Sequence, residues 1–147
     1  MSLQVTPYII LNGKAKEAIR FYENVLDAKV RSITTYGDMP DNPKMPFSEE
    51  VKKLVAHALL KVGESDLMIS DTPIQSEHPF HLESQVVTIC ISTKSVEQTK
   101  QIFDALQQEG QVNCPVEETS FSPAFANVTD KYGVTYNIVT TVPECQN

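Results

Sequence analysis

Few side chains in this sequence are of a type suited to acid/base or nucleophilic chemistry: three imidazoles, His57, His78 and His81, and three thiols, Cys90, Cys114 and Cys145. The thiols are odd in number, lie far apart and form no CxxC or Cys/His ligand spacing. That excludes a disulfide framework and a zinc knuckle, and a reduced, cytoplasmic compartment is the simplest reading. His57 stands in Ala56-His57-Ala58, inside an alternating apolar run, so it points away from the face of its two small neighbours. There it can act as a general base or donate a hydrogen bond to a ligand; the alternative is a hydrogen-bonded sheet histidine with a structural role. His78 and His81 fall in a polar, proline-containing stretch and read as solvent or interdomain contacts. Asp66 and Asp71 bracket one strand and read as turn acids, since acid/base work by a carboxylate pair needs a convergence that spacing alone does not supply.

The elements that must position these groups repeat. Tyr8-Ile9-Ile10-Leu11 is a short apolar strand closed by the turn signal Asn12-Gly13. Ala15, Ala18, Ile19, Tyr22, Val25 and Leu26 recur at i, i+3, i+4 and i+7 and predict a helix with one apolar stripe. Residues 29–36 (KVRSITTY) alternate and are rich in β-branched types, which predicts a strand. GDMPDNPKMPF, residues 37–47, carries three prolines that exclude regular structure, and is either a lid over a binding site or a plain surface excursion. Ser48 followed by Glu49 and Glu50 predicts the N-cap and acidic first turn of a short helix through about Leu54. Residues 56–62 and 65–70 flank Gly63-Glu64 as a hairpin.

After a polar, proline-containing stretch (72–84) the pattern restarts. Residues 86–92 (VVTICIS) predict a strand, and Ser95 with Gln98 has capping-box spacing ahead of a helix whose inner face is Val96, Thr99, Ile102, Phe103 and Leu106. Gly110 follows its last turn, as a helix C-terminus favours. Strands at about 112–118, 124–128 and 134–140 follow. The last two hinge on Asp130-Lys131-Tyr132-Gly133, with Asp130 opening the turn and Gly133 free to take positive φ. The expected fold class is therefore α+β: two βαβββ modules forming curved mixed sheets around a cavity. The first spans residues 1–73, a linker spans 74–84, and the second spans 85–147, together one structural domain. Two half-covered sheets whose free faces pair make a concave ligand cup.

Composition narrows the partners. The chain has 147 residues, of which 41% are hydrophobic, enough to bury a core. Nineteen acids against twelve bases give a net charge of -7, which repels phosphate backbones and anionic lipid, so neither nucleic acid nor a membrane surface is an expected partner. No apolar run approaches a membrane span.

PYIILNGKAKEAIRFYENVLDAKV, AHALLKVGESDLMISD and FANVTDKYGVTYNIV, in this order and spacing, resemble the PhnB-like branch of the glyoxalase/bleomycin resistance/dioxygenase group, the vicinal oxygen chelate superfamily. The resemblance covers nearly the whole chain. It implies paired βαβββ modules, a homodimer, and a small organic molecule as partner. Members of that group include isomerases, extradiol dioxygenases, thiol transferases and antibiotic-sequestering proteins, so fold does not settle function. A methyltransferase name is attached to part of that branch, but no strand here precedes a Gly-rich loop suited to S-adenosylmethionine or a dinucleotide.

In metal-using members of that group each module supplies a His or Gln from its first strand and a Glu from its last. Carried onto this chain, those positions fall on Tyr8 and Met68 in the first module and on Thr88 and Asn137 in the second. Four such donors, with neither imidazole nor carboxylate, would not recover the hydration energy of a divalent cation. No metal and no cofactor is therefore expected. The residues expected to line the cup are Tyr8, Met68, Thr88, Phe125, Tyr136 and Asn137. His57 is the acid/base residue if there is chemistry, because the resemblance includes its AHA context. The rival readings are a metal-dependent lyase, isomerase or dioxygenase with a shifted ligand set, such as His57 with Asp71, and a protein that sequesters an antibiotic or toxin. The relatives carry Trp near Phe121 and Tyr136 and His near Pro123; this chain has no Trp, so its pocket chemistry departs from theirs.

Overall fold

The structure, a computed structural model, describes residues 4–40, 46–73 and 87–141. The chain divides into two compact units, Met1–Phe80 and His81–Asn147. The expected linker, with His78 and His81, lies outside the described residues, as do Cys145 and residues 41–45 of the proline-rich loop.

In the first unit, β1 (Tyr8–Leu11) leads to α1 (Ala15–Val25), β2 (Lys29–Thr35), a 3-10 turn (Tyr36–Asp38), α2 (Glu49–Lys52), β3 (Val55–Val62) and β4 (Ser65–Asp71). The sheet order is β1-β4-β3-β2, with β1 parallel to β4 and the other pairs antiparallel. Ala15, Ala18, Ile19 and Tyr22 of the expected stripe on α1 are buried, while Val25 and the C-cap Leu26 are half-buried; Ile19 alone contributes about 2 kcal/mol by leaving water. They cover the sheet face that carries Ile9, Leu11, Ala58, Leu60, Leu67 and Ile69, all buried. α2 opens as predicted, with Ser48 Oγ accepting the Val51 N–H. The proline-rich stretch is not wholly irregular: its first residues complete the 3-10 turn, closed by Asp38 accepting the Thr35 N–H.

The head of α1 has no side-chain cap of its own. Asp71, at the end of β4, supplies one from across the unit. Its Oδ1 accepts the Ala15 N–H at 2.9 Å and its Oδ2 accepts the Val55 N–H at 3.0 Å, while its carbonyl accepts the Tyr36 hydroxyl at 2.8 Å. Asp71 is only 1% exposed, so it is no turn acid. It joins the starts of α1 and β3, two places where backbone donors would otherwise be buried without a partner.

The second unit repeats the plan with β5 (Ile89–Thr93), α3 (Val96–Leu106), β6 (Gln111–Glu117), β7 (Phe125–Thr129) and β8 (Thr135–Thr140), ordered β5-β8-β7-β6. Ser95 Oγ accepts the Gln98 N–H, but the return bond of Gln98 lands on the Lys94 N–H, one residue earlier than a capping box requires. Under α3 the place of Asp71 is taken by hydroxyls: Thr99 Oγ1 lies 2.6 Å from both Thr93 Oγ1 and Thr140 Oγ1. β5 starts at Ile89, later than expected, and runs to Thr93, where its pairing with Thr140 ends.

Gly110 differs from its expected role. The positive φ after α3 belongs to Glu109, at 58°. A Cβ on Gly110 would stand 2.3 Å from the Thr129 carbonyl oxygen. Glycine is needed there for close approach, not for backbone handedness.

Candidate functional site

Strand alternation gives each unit one face under its helix and one open face. In the first unit Tyr8 pairs with Met68, and Met68 with Leu59, so these three share the open face. His57 joins them, its ring 5.9 Å from that of Tyr8 in an edge-on arrangement. Tyr8 is 46% exposed. Tyr36 follows β2 at the edge of the same sheet and packs on Phe47, with ring centroids 5.1 Å apart. Burial, followed by the proximity of Tyr8 and of Asp71, raises the pKa of the Tyr36 phenol. The structure therefore brings Tyr8, Met68 and His57 together. It does not bring Asp71 to them: both carboxylate oxygens of Asp71 are turned to backbone donors at α1 and β3, so the shifted pair of His57 with Asp71 does not converge.

In the second unit Tyr136, Ile138 and Thr140 alternate as buried residues along β8. Thr140 reaches Thr99 of α3, so all three lie on the helix face. Tyr136 is 1% exposed. Its expected place among the lining residues is thereby corrected, for two consecutive strand residues cannot share a face. The open face carries Asn137 and Val139 on β8 and, opposite them, Asn127 and Phe125 on β7. Phe125 meets Phe121 edge-on at 5.4 Å, and Phe121 is 62% exposed.

Asn137 is the centre of a row of amides. The Asn137 Nδ2 donates to Thr88 Oγ1 at 3.1 Å, and its Oδ1 accepts from Asn127 Nδ2. Asn127 Oδ1 in turn accepts from Asn113 Nδ2 at 2.7 Å, and Asn113 also donates to Thr129 Oγ1 at 2.9 Å. Thr129 and Thr135 pair their hydroxyls at 2.8 Å. Asn113 and Asn127 were not among the expected residues. The available signal was an amide between Ala126 and Val128, a polar residue alternating with apolar ones on a short strand.

The parallel pairs end on Leu11 with Asp71 and on Thr93 with Thr140. Three residues back along each strand stand Tyr8 with Met68 and Cys90 with Asn137. The counterpart of Tyr8 in the second unit is thus Cys90, an exposed thiol, while Thr88 reaches Asn137 through its hydroxyl from two residues earlier. Neither Tyr8 with Met68 in the first unit nor Cys90 with Asn137 in the second includes an imidazole or a carboxylate, and neither pair fits a hard divalent cation. Among the described residues no three His, Cys, Asp or Glu group closely enough to hold a metal ion, and no helix is long and apolar enough to cross a membrane.

Two βαβββ units, each with first and last strands parallel at one edge, define the glyoxalase/bleomycin resistance/dioxygenase fold. A domain of that group from Frankia sp. EAN1pec matches with a TM-score of 0.70 at 11% identity, covering 99% of this chain and 96% of its own. The family model described as 3-demethylubiquinone-9 3-methyltransferase matches residues 3–139, and the chain belongs to that family, the PhnB-like branch of the fold. Protein YjdN of Escherichia coli (strain K12) is 27% identical over 145 residues, covering 92% of this chain and 94% of YjdN. Protein PA1353 from Pseudomonas aeruginosa matches with a TM-score of 0.80 at 28% identity over 95% of this chain and 98% of its own. A PhnB protein from Bacillus cereus matches with a TM-score of 0.74 at 22% identity over 95% and 100%.

Proposed function

We propose that this PhnB-like protein binds a small organic molecule on its open sheet faces, as a homodimer, without a metal ion. The observation that carries the reading is the state of Asn137. Where metal-using relatives place a glutamate, this chain has an amide engaged on both sides, donating to Thr88 and accepting from Asn127. A group so engaged is suited to orienting a ligand by hydrogen bonds and poorly suited to neutralising a cation. On the other unit's open face, Tyr8, Met68 and His57 offer an aromatic and thioether surface with one imidazole; if the ligand is turned over, His57 is the acid/base group. The methyl transfer in the family's name has no support in the glycines. All five lie apart in the sequence, so no Gly-rich cradle follows any strand.

Elemental analysis and native mass spectrometry of the purified protein test this. The expected result is sub-stoichiometric metal together with a dimer that retains or takes up a small organic molecule. Stoichiometric metal, located on His57 by anomalous scattering, would overturn the reading.

A further inference from the structure

The amide row specifies more than polarity. Across the second sheet the row runs Asn113 Nδ2, Asn127 Oδ1, Asn127 Nδ2, Asn137 Oδ1, Asn137 Nδ2 and Thr88 Oγ1. Donor and acceptor alternate without a break. An amide has two N–H donors and two acceptor lone pairs. Asn127 and Asn137 each spend one donor and one acceptor along the row, so each keeps one of both for something lying on it. The alternation survives a reversal of every amide in the row, because a reversed chain of amides still alternates. Within an amide the oxygen and nitrogen lie ~2.3 Å apart, and successive amides lie one strand spacing, ~4.8 Å, apart. Because each side chain is held by its neighbours, little ordering remains to be done when a ligand arrives.

We infer that this face recognises an uncharged, planar heterocycle whose edge alternates carbonyl oxygen and N–H, the cyclic imide and lactam class to which pyrimidine-like rings belong. An imide edge sets two carbonyl oxygens on either side of one N–H at the repeat the row presents. A carboxylate, phosphate or vicinal diolate is a poor match, since its oxygens would face the lone pairs of Asn127 or Asn137 as well as their N–H groups. The flanks suit a ring standing on the row. Two residues along the strands, ~7 Å away, Phe125 and Val139 lie on one side and the Thr129–Thr135 hydroxyl pair on the other. Phe121, largely exposed and edge-on to Phe125, extends the apolar side. This inference rests on the reading that the open faces bind a small molecule, and names the class that the second face takes.

The experiment is a solution NMR titration of the full chain, following the side-chain amide signals of Asn127 and Asn137. The probes are glutarimide, N-methylglutarimide, which keeps both carbonyls and loses the N–H, and glutarate, which offers acceptors alone. The expected result is saturable shifts of both amide signals with glutarimide, binding weakened by about tenfold or more on N-methylation, and no shifts with glutarate. In Asn127→Asp, checked to be folded by its backbone spectrum, one donor becomes an acceptor and glutarimide binding falls by a similar factor. Equal binding of glutarimide and N-methylglutarimide overturns the proposal, as does a preference for glutarate. If no imide shifts the amides while other fragments from a general library shift open-face signals, the ligand class is wrong and the small-molecule reading stands. If no fragment shifts the open face of either unit, both fall.

Discussion

Asn127 and Asn137 stand directly opposite one another on β7 and β8, and the amide of the first donates to the amide of the second. The pair lies in the middle of a row of amides and hydroxyls on the open face, so each amide limits what the other can do. Replacing either by leucine leaves the partner short of one bond and is expected to cost about 1 kcal/mol. Because the two share that bond, the double replacement costs less than the sum of the singles, by about 0.5–1 kcal/mol. Urea unfolding of the three variants reads this directly; additive losses would show that the two amides do not interact.

Asp71 is a buried carboxylate with both oxygens on backbone donors of the first unit. Asp71→Ala leaves the Ala15 and Val55 N–H groups without their acceptor, with an expected loss of about 3 kcal/mol. Asp71→Asn is milder at about 2 kcal/mol, since one of its two terminal atoms becomes a donor facing a donor. Hydrogen exchange at Ala15 and Val55, faster in both variants than in the parent, distinguishes loss of this anchor from general destabilisation.

Gly110→Ala is expected to destabilise by about 1–3 kcal/mol, because its Cβ meets the Thr129 carbonyl oxygen, a backbone atom that moves only with β7. Glu109→Gly, next to it, removes a side chain from a residue at φ 58° and should stay within about 0.5 kcal/mol of the parent, relief of strain offsetting the added freedom of the unfolded chain. Thermal unfolding of the two variants compares them. A neutral Gly110→Ala would mean that β7 gives way easily.

The Tyr36 phenol has a raised pKa, so the folded state holds its proton more tightly than the unfolded chain does. Its contribution is fully present below the ordinary tyrosine value of ~10 and is lost as pH rises through the higher folded value. Tyr36→Phe, which also lacks the bond to the Asp71 carbonyl, should be less stable than the parent by about 1 kcal/mol at neutral pH. That gap should narrow above pH ~10. Stability measured from pH 8 to 11 checks it; a gap independent of pH would remove the phenol's proton from the account.

What the sequence by itself determined is what repeats along the chain: two helices with one apolar stripe each, strands with a period of two, and the Ser48 and Ser95 caps. Because these patterns arise from neighbours within one turn or one pleat, the duplicated βαβββ plan was legible without any contact between distant residues. Asn137 and Met68 could also be placed on open faces, by counting from their turns and strand ends. The same alternation puts Tyr136, next to Asn137 in sequence, on the helix face. Only tertiary structure decided the rest. That Asp71 caps a helix far away in sequence, that Cys90 and not Thr88 lies opposite Asn137, that Gly110 is required by a carbonyl of β7, and that Asn113, Asn127 and Asn137 form one row all depend on register between strands. Register is set by how whole faces pack, and a shift of one residue would leave the local patterns intact while turning every one of these side chains to the other face.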